Sequence, residues 1–487
     1  MNGLGLLMFP LAMAGIVLTG LPAFVVLTAV ALLFAALGLV VGAFDGHLLQ
    51  ALPVRLIGLL EHDLLQALAL YAMVGALLHR LRLAATWLAT VSHWLRGSGA
   101  GSALATLGLG ALAAPMNGSV GASAAMLQRA AAPQLLVLAP ARATALLAAA
   151  STLGVIVPPT LVLVLLGDAM MRAHTESLLL SHAAVQVINN QDVMRAALAP
   201  GALLLALWLA WLLWTGWRGQ REVQRTPTDR QADEPGDDGP GPTRSAVLST
   251  LVLSAAVPAL LAGVASGRLY AVEAAAAAGM ALLLYGIVTG QLRGAWTELL
   301  DGAMRLTGMV FGLLVGATSF TLVLRGFGTD AWLGHWLRTS QAGPLQALLL
   351  VMALLLLCAF VLDAFELIFL VIPIVMPPLL SVVPDAAWVA AMTLLVLQIG
   401  YLLPPLGFAV MMARGALPVP PPQAALARAL LPYLAGLLLV LGAVLLWPGL
   451  TQTGRGAAAA ATPLLDNAAV EALMRQSVPR EPDVPRH

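Results

Sequence analysis

Two short stretches of this chain set hydroxyls or a carboxamide beside a glycine and a proline pair: STLGVIVPPT (residues 151–160) and LQIGYLLPPL (residues 397–406). Proline removes a backbone donor, clashes with the preceding turn, and keeps the residue before it out of the helical region. A helix broken at such a point offers carbonyl oxygens from one half and amide hydrogens from the other, each at a dipole end. Carbonyls suit a cation such as Na⁺, and amides suit a carboxylate. Two further polar clusters interrupt long apolar runs: APMNGSVGAS around Asn117, and LDAFEL around Asp363 and Glu366. Asp363 and Glu366 are three apart and so become neighbours on a helix. An acid placed there either caps a returning half-helix or shapes an ion site directly.

Other residues of chemical interest carry less. Ser123, in GASA, matches the Gly-x-Ser-x of intramembrane serine proteases, but that chemistry needs a histidine at hydrogen-bond reach. His174, His182 and His335 fall in stretches read as loops, so no catalytic residue is assigned and the chain is not read as an enzyme. Glu61, His62 and Asp63 read as the polar boundary of a span rather than as a metal site. Trp208, Trp211, Trp214 and Trp217 read as an aromatic belt at the cytoplasmic end of a helix. The single cysteine, Cys358, permits no intrachain disulfide and reads as structural.

The elements that must position these residues are set by composition. The chain has 487 residues, 60% hydrophobic and 10% charged, where a soluble domain averages roughly 25% charged residues. Mean hydropathy is +0.92. This is an integral membrane protein. A net charge of +1 with no basic face argues against a nucleic-acid partner. Every basic side chain other than histidine is arginine. The N-terminal segment has no positive n-region or clear cleavage signal, and it reads as a retained first helix.

A spanning helix needs about 20 apolar residues. Candidate spans are residues 4–19, 22–44, 64–79, 142–167, 193–216, 246–265, 272–290, 303–324, 386–412 and 424–447. Residues 100–137 and 345–383 are too long for one span and polar in the middle, which suits helical hairpins that enter, turn and leave on the same side. Such backbone is tolerated only where protein or a wet cavity covers it. Residues 218–245 form a polar linker rich in proline, glycine and mixed charge. Residues 450–487 read as a weakly ordered tail. Arginines in short loops place the N-terminus outside, the first hairpin opening to the cytoplasm and the second to the outside.

The two proline stretches share Gly-x-x-x-Pro-Pro, from Gly154 to Pro158 and Pro159, and from Gly400 to Pro404 and Pro405. The offset is 246 residues, and the same offset carries Asn117 onto Asp363. Each half thus reads as a hairpin, then a broken helix: residues 1–217 and 246–449, with broken helices at 142–167 and 386–412. Because the hairpins open to opposite sides, the repeat is expected to be inverted. The fold class is therefore an all-α polytopic membrane protein of two inverted repeats. Matched broken helices point to the binding site of a secondary transporter.

The runs GALAAPMNGSVGAS, AASTLGVIVPPTLVLVLLGD, LDAFELIFLVIPIVMPP and LQIGYLLPPLGFAVMMARG together resemble the large membrane subunit of tripartite ATP-independent periplasmic (TRAP) transporters, in the subgroup labelled mannitol/chloroaromatic. The resemblance covers residues 4–450 apart from the linker. It implies an elevator-type, Na⁺-coupled importer of small organic acids in the bacterial inner membrane. Its partners would be a four-helix small membrane subunit, a periplasmic substrate-binding protein, the organic acid and membrane lipid. No cofactor is expected, with Na⁺ as the coupling ion. Carried onto this sequence, the cation-binding residues are Asn117, Gly118, Ser119, Ser123, Ser151, Thr152, Gly154, Asp363 and Gly400. The substrate-binding residues are Pro158, Pro159, Thr160, Glu366, Gln398, Pro404, Pro405 and Gly407. Ile399 and Leu403 stand where the family commonly has threonine, so the second break is poorer in hydroxyls. The alternative is a stand-alone ion-coupled anion symporter of the same hairpin architecture.

Overall fold

The computed structural model describes residues 2–452 except 61–62, 82, 96–99, 114–118, 137, 159, 182–187, 226–241, 330–331, 334, 336–342 and 416–419; residues 453–487 lie outside the description. The described residues are helical, with no strand among them. Five helices are long and apolar enough to cross a membrane, or up to seven if each bent pair is one span.

The N-terminal part contributes α1 (Asn2–Thr19), α2 (Ala23–Val41), α3 (His47–Leu60), α4 (Asp63–Arg80) and α5 (Leu83–Trp94). The first hairpin follows as α6 (Gly101–Ala113) and α7 (Val120–Leu135), then the first broken helix as α8 (Pro140–Ile156) and α9 (Leu161–Ser181). Next come α10 (Asn190–Arg225), α11 (Arg244–Ala265), α12 (Ala271–Val288) and α13 (Trp296–Gly326). The second hairpin is α14 (Pro344–Cys358) and α15 (Ala364–Leu380). The second broken helix is α16 (Ala386–Leu402) and α17 (Phe408–Arg414), and α18 (Gln423–Leu446) closes the described chain. In both halves two helices precede a helix that ends two residues before a proline pair. Helices α8 and α16 are each 17 residues long, and the 246-residue offset superposes them from first residue to last.

Two groups of helices pack side by side. In one, α2, α4, α12 and α13 pack on one another. In the other, α8 and α16 lie at the centre, covered by both hairpins and by α10, α17 and α18. Helix α8 is buried along nearly its whole length from Ala143, with no amphipathic pattern, as expected of a helix surrounded by protein.

Several readings are corrected by this packing. Helices α3 and α5 were not among the expected spans. Helix α9 continues to Ser181, beyond the expected end at residue 167, so Arg172 and His174 lie on a helix and not in a loop, with His174 buried. Arg195 and Arg325 likewise belong to helices α10 and α13. Helix α10 runs to Arg225, into the polar stretch that begins at residue 218. Trp208 is no belt residue. It is buried, its indole donates to the Tyr433 carbonyl at 3.2 Å, and it packs edge-on against that ring. A buried indole N–H needs such an acceptor. Trp214 and Trp217 do face outward, and the Arg218 guanidinium lies 3.8 Å over the Trp214 ring.

Candidate functional site

At the first break, Pro158 has no amide hydrogen to return to Gly154, and Val157 turns extended at φ −86° and ψ 107°. The new helix begins at Thr160. Its hydroxyl accepts from the Leu163 amide at 2.9 Å, and its carbonyl accepts from the Val164 amide. Thr160 is thus the N-cap of α9, one lone pair of its hydroxyl serving its own helix and its O–H left to donate. Pro158 is buried and Gly154 half-buried. Pro159 lies outside the described residues.

One turn before the break, Ser151 and Thr152 are fully buried. Their hydroxyls donate to the carbonyls of Ala148 and Ala149, each at 2.8 Å. A hydroxyl whose proton is held by a backbone carbonyl presents lone pairs to everything else. Thr152 Oγ1 accepts from Gln398 Nε2 at 3.0 Å, and Gln398 Oε1 is buried with no hydrogen-bond partner among the described residues. Ser151, Thr152 and Gln398 therefore gather oxygen acceptors in a fully buried place. Such a place favours a cation over an anion. Gln398, expected with the substrate, is hydrogen-bonded to Thr152, its repeat mate 246 positions earlier.

At the second break, Leu403 turns extended (φ −77°, ψ 115°) before Pro404, and the Pro404–Pro405 bond is cis. Gly407 starts α17, with its amide donating to the Leu403 carbonyl at 2.9 Å. A Cβ built on Gly407 would stand 2.5 Å from the Tyr401 carbonyl oxygen, so only glycine fits there. Gly400 is equally constrained, since its Cβ would stand 2.5 Å from that of Ala359 beside the second hairpin.

The hairpin tips are capped from their own sequence. Ser119 accepts from the Ala122 amide at 3.1 Å, and Ser123, buried, donates to the Ser119 carbonyl at 2.9 Å. Asn117 and Gly118 lie outside the described residues. Asp363 accepts from the Ala364 amide at 2.7 Å, and Glu366 reaches back to accept from the Asp363 amide at 3.0 Å. The two acids form a capping box, so both side chains are engaged with the returning half-helix. The cap equivalent to Asp363 is thus Ser119, two positions from Asn117, which the 246 offset selects. Beyond the cap, α15 passes through a π-helical turn, Leu367–Val371, directly before Pro373. The wider turn accommodates a proline that would otherwise crowd the carbonyl one turn earlier.

One set of charges was not singled out in the sequence. Arg325 on α13 pairs with Glu176 on α9 at 2.8 Å and also donates to the Pro373 carbonyl. Arg172 pairs with Asp168 one turn away at 2.9 Å. They line a cavity of about 260 Å³ between α9, α13 and α15. A cavity of about 890 Å³ lies nearer the other end of α13, between α4, α5 and α7, with Arg129, Glu298 and Asp301 in its wall. The spacing of acid and arginine at Asp168–Arg172 is the i,i+4 signal that could have found the first cluster.

Paired hairpins and paired broken helices around buried oxygen acceptors, in a polytopic all-helical membrane protein, are the features of a secondary transporter. Residues 11–450 match the family described as the tripartite ATP-independent periplasmic transporter, DctM component, and the chain belongs to that family. Among curated proteins it is 30% identical over 195 residues to the sialic acid TRAP transporter large permease protein SiaM of Vibrio cholerae. That alignment covers 39% of this chain and 45% of SiaM, so it spans about half the length of that relative. Among solved structures, the YdaH transporter of Alcanivorax borkumensis has a similar fold. The TM-score is 0.60 with 19% identity, covering 83% of this chain and 90% of that one.

Proposed function

We propose that this large permease imports small organic acids into the bacterial cytoplasm, coupled to Na⁺, together with a small membrane subunit and a periplasmic binding protein. The observation that carries the reading is the Thr152–Gln398 hydrogen bond. Equivalent positions of two repeats touch each other only near an axis that relates the repeats. In an inverted repeat that axis lies in the membrane plane, where coupling ions and substrate meet. The cation site is assigned to Ser151, Thr152 and the carbonyls before the first break, with Ser119 and Ser123; Asn117 and Gly118 are candidate ligands from the sequence alone. On the second side Asp363, Gly400 and Gln398 contribute. The substrate carboxylate meets half-helix amides after Pro158, Pro159, Pro404 and Pro405, near Glu366, Thr160 and Gly407.

The mechanism is elevator-like: α8, α9, α16, α17 and the hairpins carry the site past α2, α4, α12 and α13. The unequal cavities toward the two ends of α13 support this reading, as does the Arg325–Glu176 pair that links the two groups. Uptake in proteoliposomes, with and without Na⁺, small subunit and binding protein, tests it. Ser151→Ala/Thr152→Ala is expected to lose Na⁺-stimulated uptake. Normal transport with unchanged Na⁺ dependence would overturn the site. Uptake that needs neither partner chain would instead establish a stand-alone symporter.

A further inference from the structure

A third cavity, of about 920 Å³, lies away from both breaks, where α8 and α18 begin and α10 nears its end. Among the described residues its charged lining is Arg142 and Arg428, with no carboxylate. Neither arginine side chain has a hydrogen bond or ion pair among the described residues, whereas Arg172, Arg305 and Arg325 each have an acid partner. The rest of the wall is mostly apolar, with Leu138, Leu146, Leu212 and Pro432, and Trp211 and Tyr433 supply aromatic edges. Next to it in sequence, Leu213, Trp214 and Leu431 are exposed apolar residues, so the cavity borders the lipid-facing surface. Arg218 over Trp214, one turn beyond Trp211, marks the level where chain meets headgroups.

We propose that this cavity binds an anionic glycerophospholipid, with its phosphate between Arg142 and Arg428 and an acyl chain along the apolar wall. Guanidinium groups take phosphate through paired hydrogen bonds. Two uncompensated cations at the mouth of an apolar cleft between membrane helices match an anionic headgroup with its chains attached. A small carboxylate would leave the apolar wall unfilled. The walls come from α6, α10 and α18 packed on α8, the first half of the broken helix, so the lipid binds on the α8 side of the site.

The test is retention of phosphatidylglycerol against phosphatidylcholine by the full-length chain, purified in detergent with equal amounts of each and read by native mass spectrometry. The wild-type chain is expected to retain phosphatidylglycerol preferentially. Arg142→Gln/Arg428→Gln should lower that preference by about tenfold per guanidinium lost. Arg142→Lys/Arg428→Lys should keep part of it, and Arg268→Gln/Arg293→Gln, on other surfaces, should leave it intact. No preference in the wild-type chain, or an undiminished preference in the double glutamine variant, would overturn the proposal. So would displacement of the lipid by the added small membrane subunit, which would make the cavity a protein-docking groove.

Discussion

The contact between Thr152 and Gln398 can be separated from simple packing by removing its two sides singly and together. Both residues are fully buried, and their bond is 3.0 Å long. Thr152→Val keeps the shape but leaves the Gln398 amide unpaired in a place water does not reach. A buried donor left without a partner costs about 1–3 kcal/mol. Gln398→Met removes the donor while Thr152 still donates to Ala149, so the loss is about that of one net hydrogen bond, 0.5–1.5 kcal/mol. The double variant removes both polar groups together and should be more stable than the sum of the singles predicts, with a coupling of about 0.5–3 kcal/mol. The assay is a double-mutant cycle on thermal inactivation of the purified chain, run beside Na⁺-dependent uptake in proteoliposomes. The expected outcome is near-wild-type stability with loss of Na⁺ stimulation in the double variant. If the single effects add to within about 0.5 kcal/mol, the two residues are not coupled. If the double variant keeps its Na⁺ dependence, the acceptors around Thr152 are not the cation site.

Four further outcomes follow from the geometry. Asp363→Ala should cost about 0.5–2 kcal/mol through its lost cap, while Asp363→Ser should restore stability; Na⁺-dependent uptake that fails in Asp363→Ser would show direct contact with the ion. Arg325→Glu should impair uptake by breaking the pair with Glu176, and the exchange Glu176→Arg/Arg325→Glu should recover it in the same vesicle assay. Gly407→Ala forces a Cβ against the Tyr401 carbonyl, so uptake should fall while the chain still inserts into the membrane. Trp208→Phe should lower thermal stability by about 0.5–1.5 kcal/mol through the lost bond to Tyr433, whereas Trp214→Phe should not.

Much of the site was legible because its breakers are written locally. Two proline pairs, each preceded by a glycine and each following a polar hairpin centre, located both broken helices, and the structure ends α8 and α16 within two residues of Pro158 and Pro404. Asp363 read as a cap or an ion contact, and its capping box with Glu366 shows the cap. The N-cap role of Thr160 was not read from the sequence, because it shows only once the helix is seen to start there. Arg172, Glu176 and Arg325 went unread as a cluster, since Glu176 and Arg325 lie 149 residues apart. Trp208 was placed with its neighbours at the membrane surface, although it differs from them only in the helix face it occupies.

The amino-acid sequence by itself determined that this chain lives in a membrane, where its helices break and which residues repeat at an interval of 246. Those properties depend on hydropathy, on proline's missing donor and on spacing, all of which are local. Only the tertiary structure decided that Thr152 and Gln398 meet, that Gln398 leaves an oxygen without a partner among the described residues, and that Arg325 faces Glu176 across the two helix groups. Such pairings depend on which faces turn toward each other when helices far apart in sequence pack, and no local pattern encodes that.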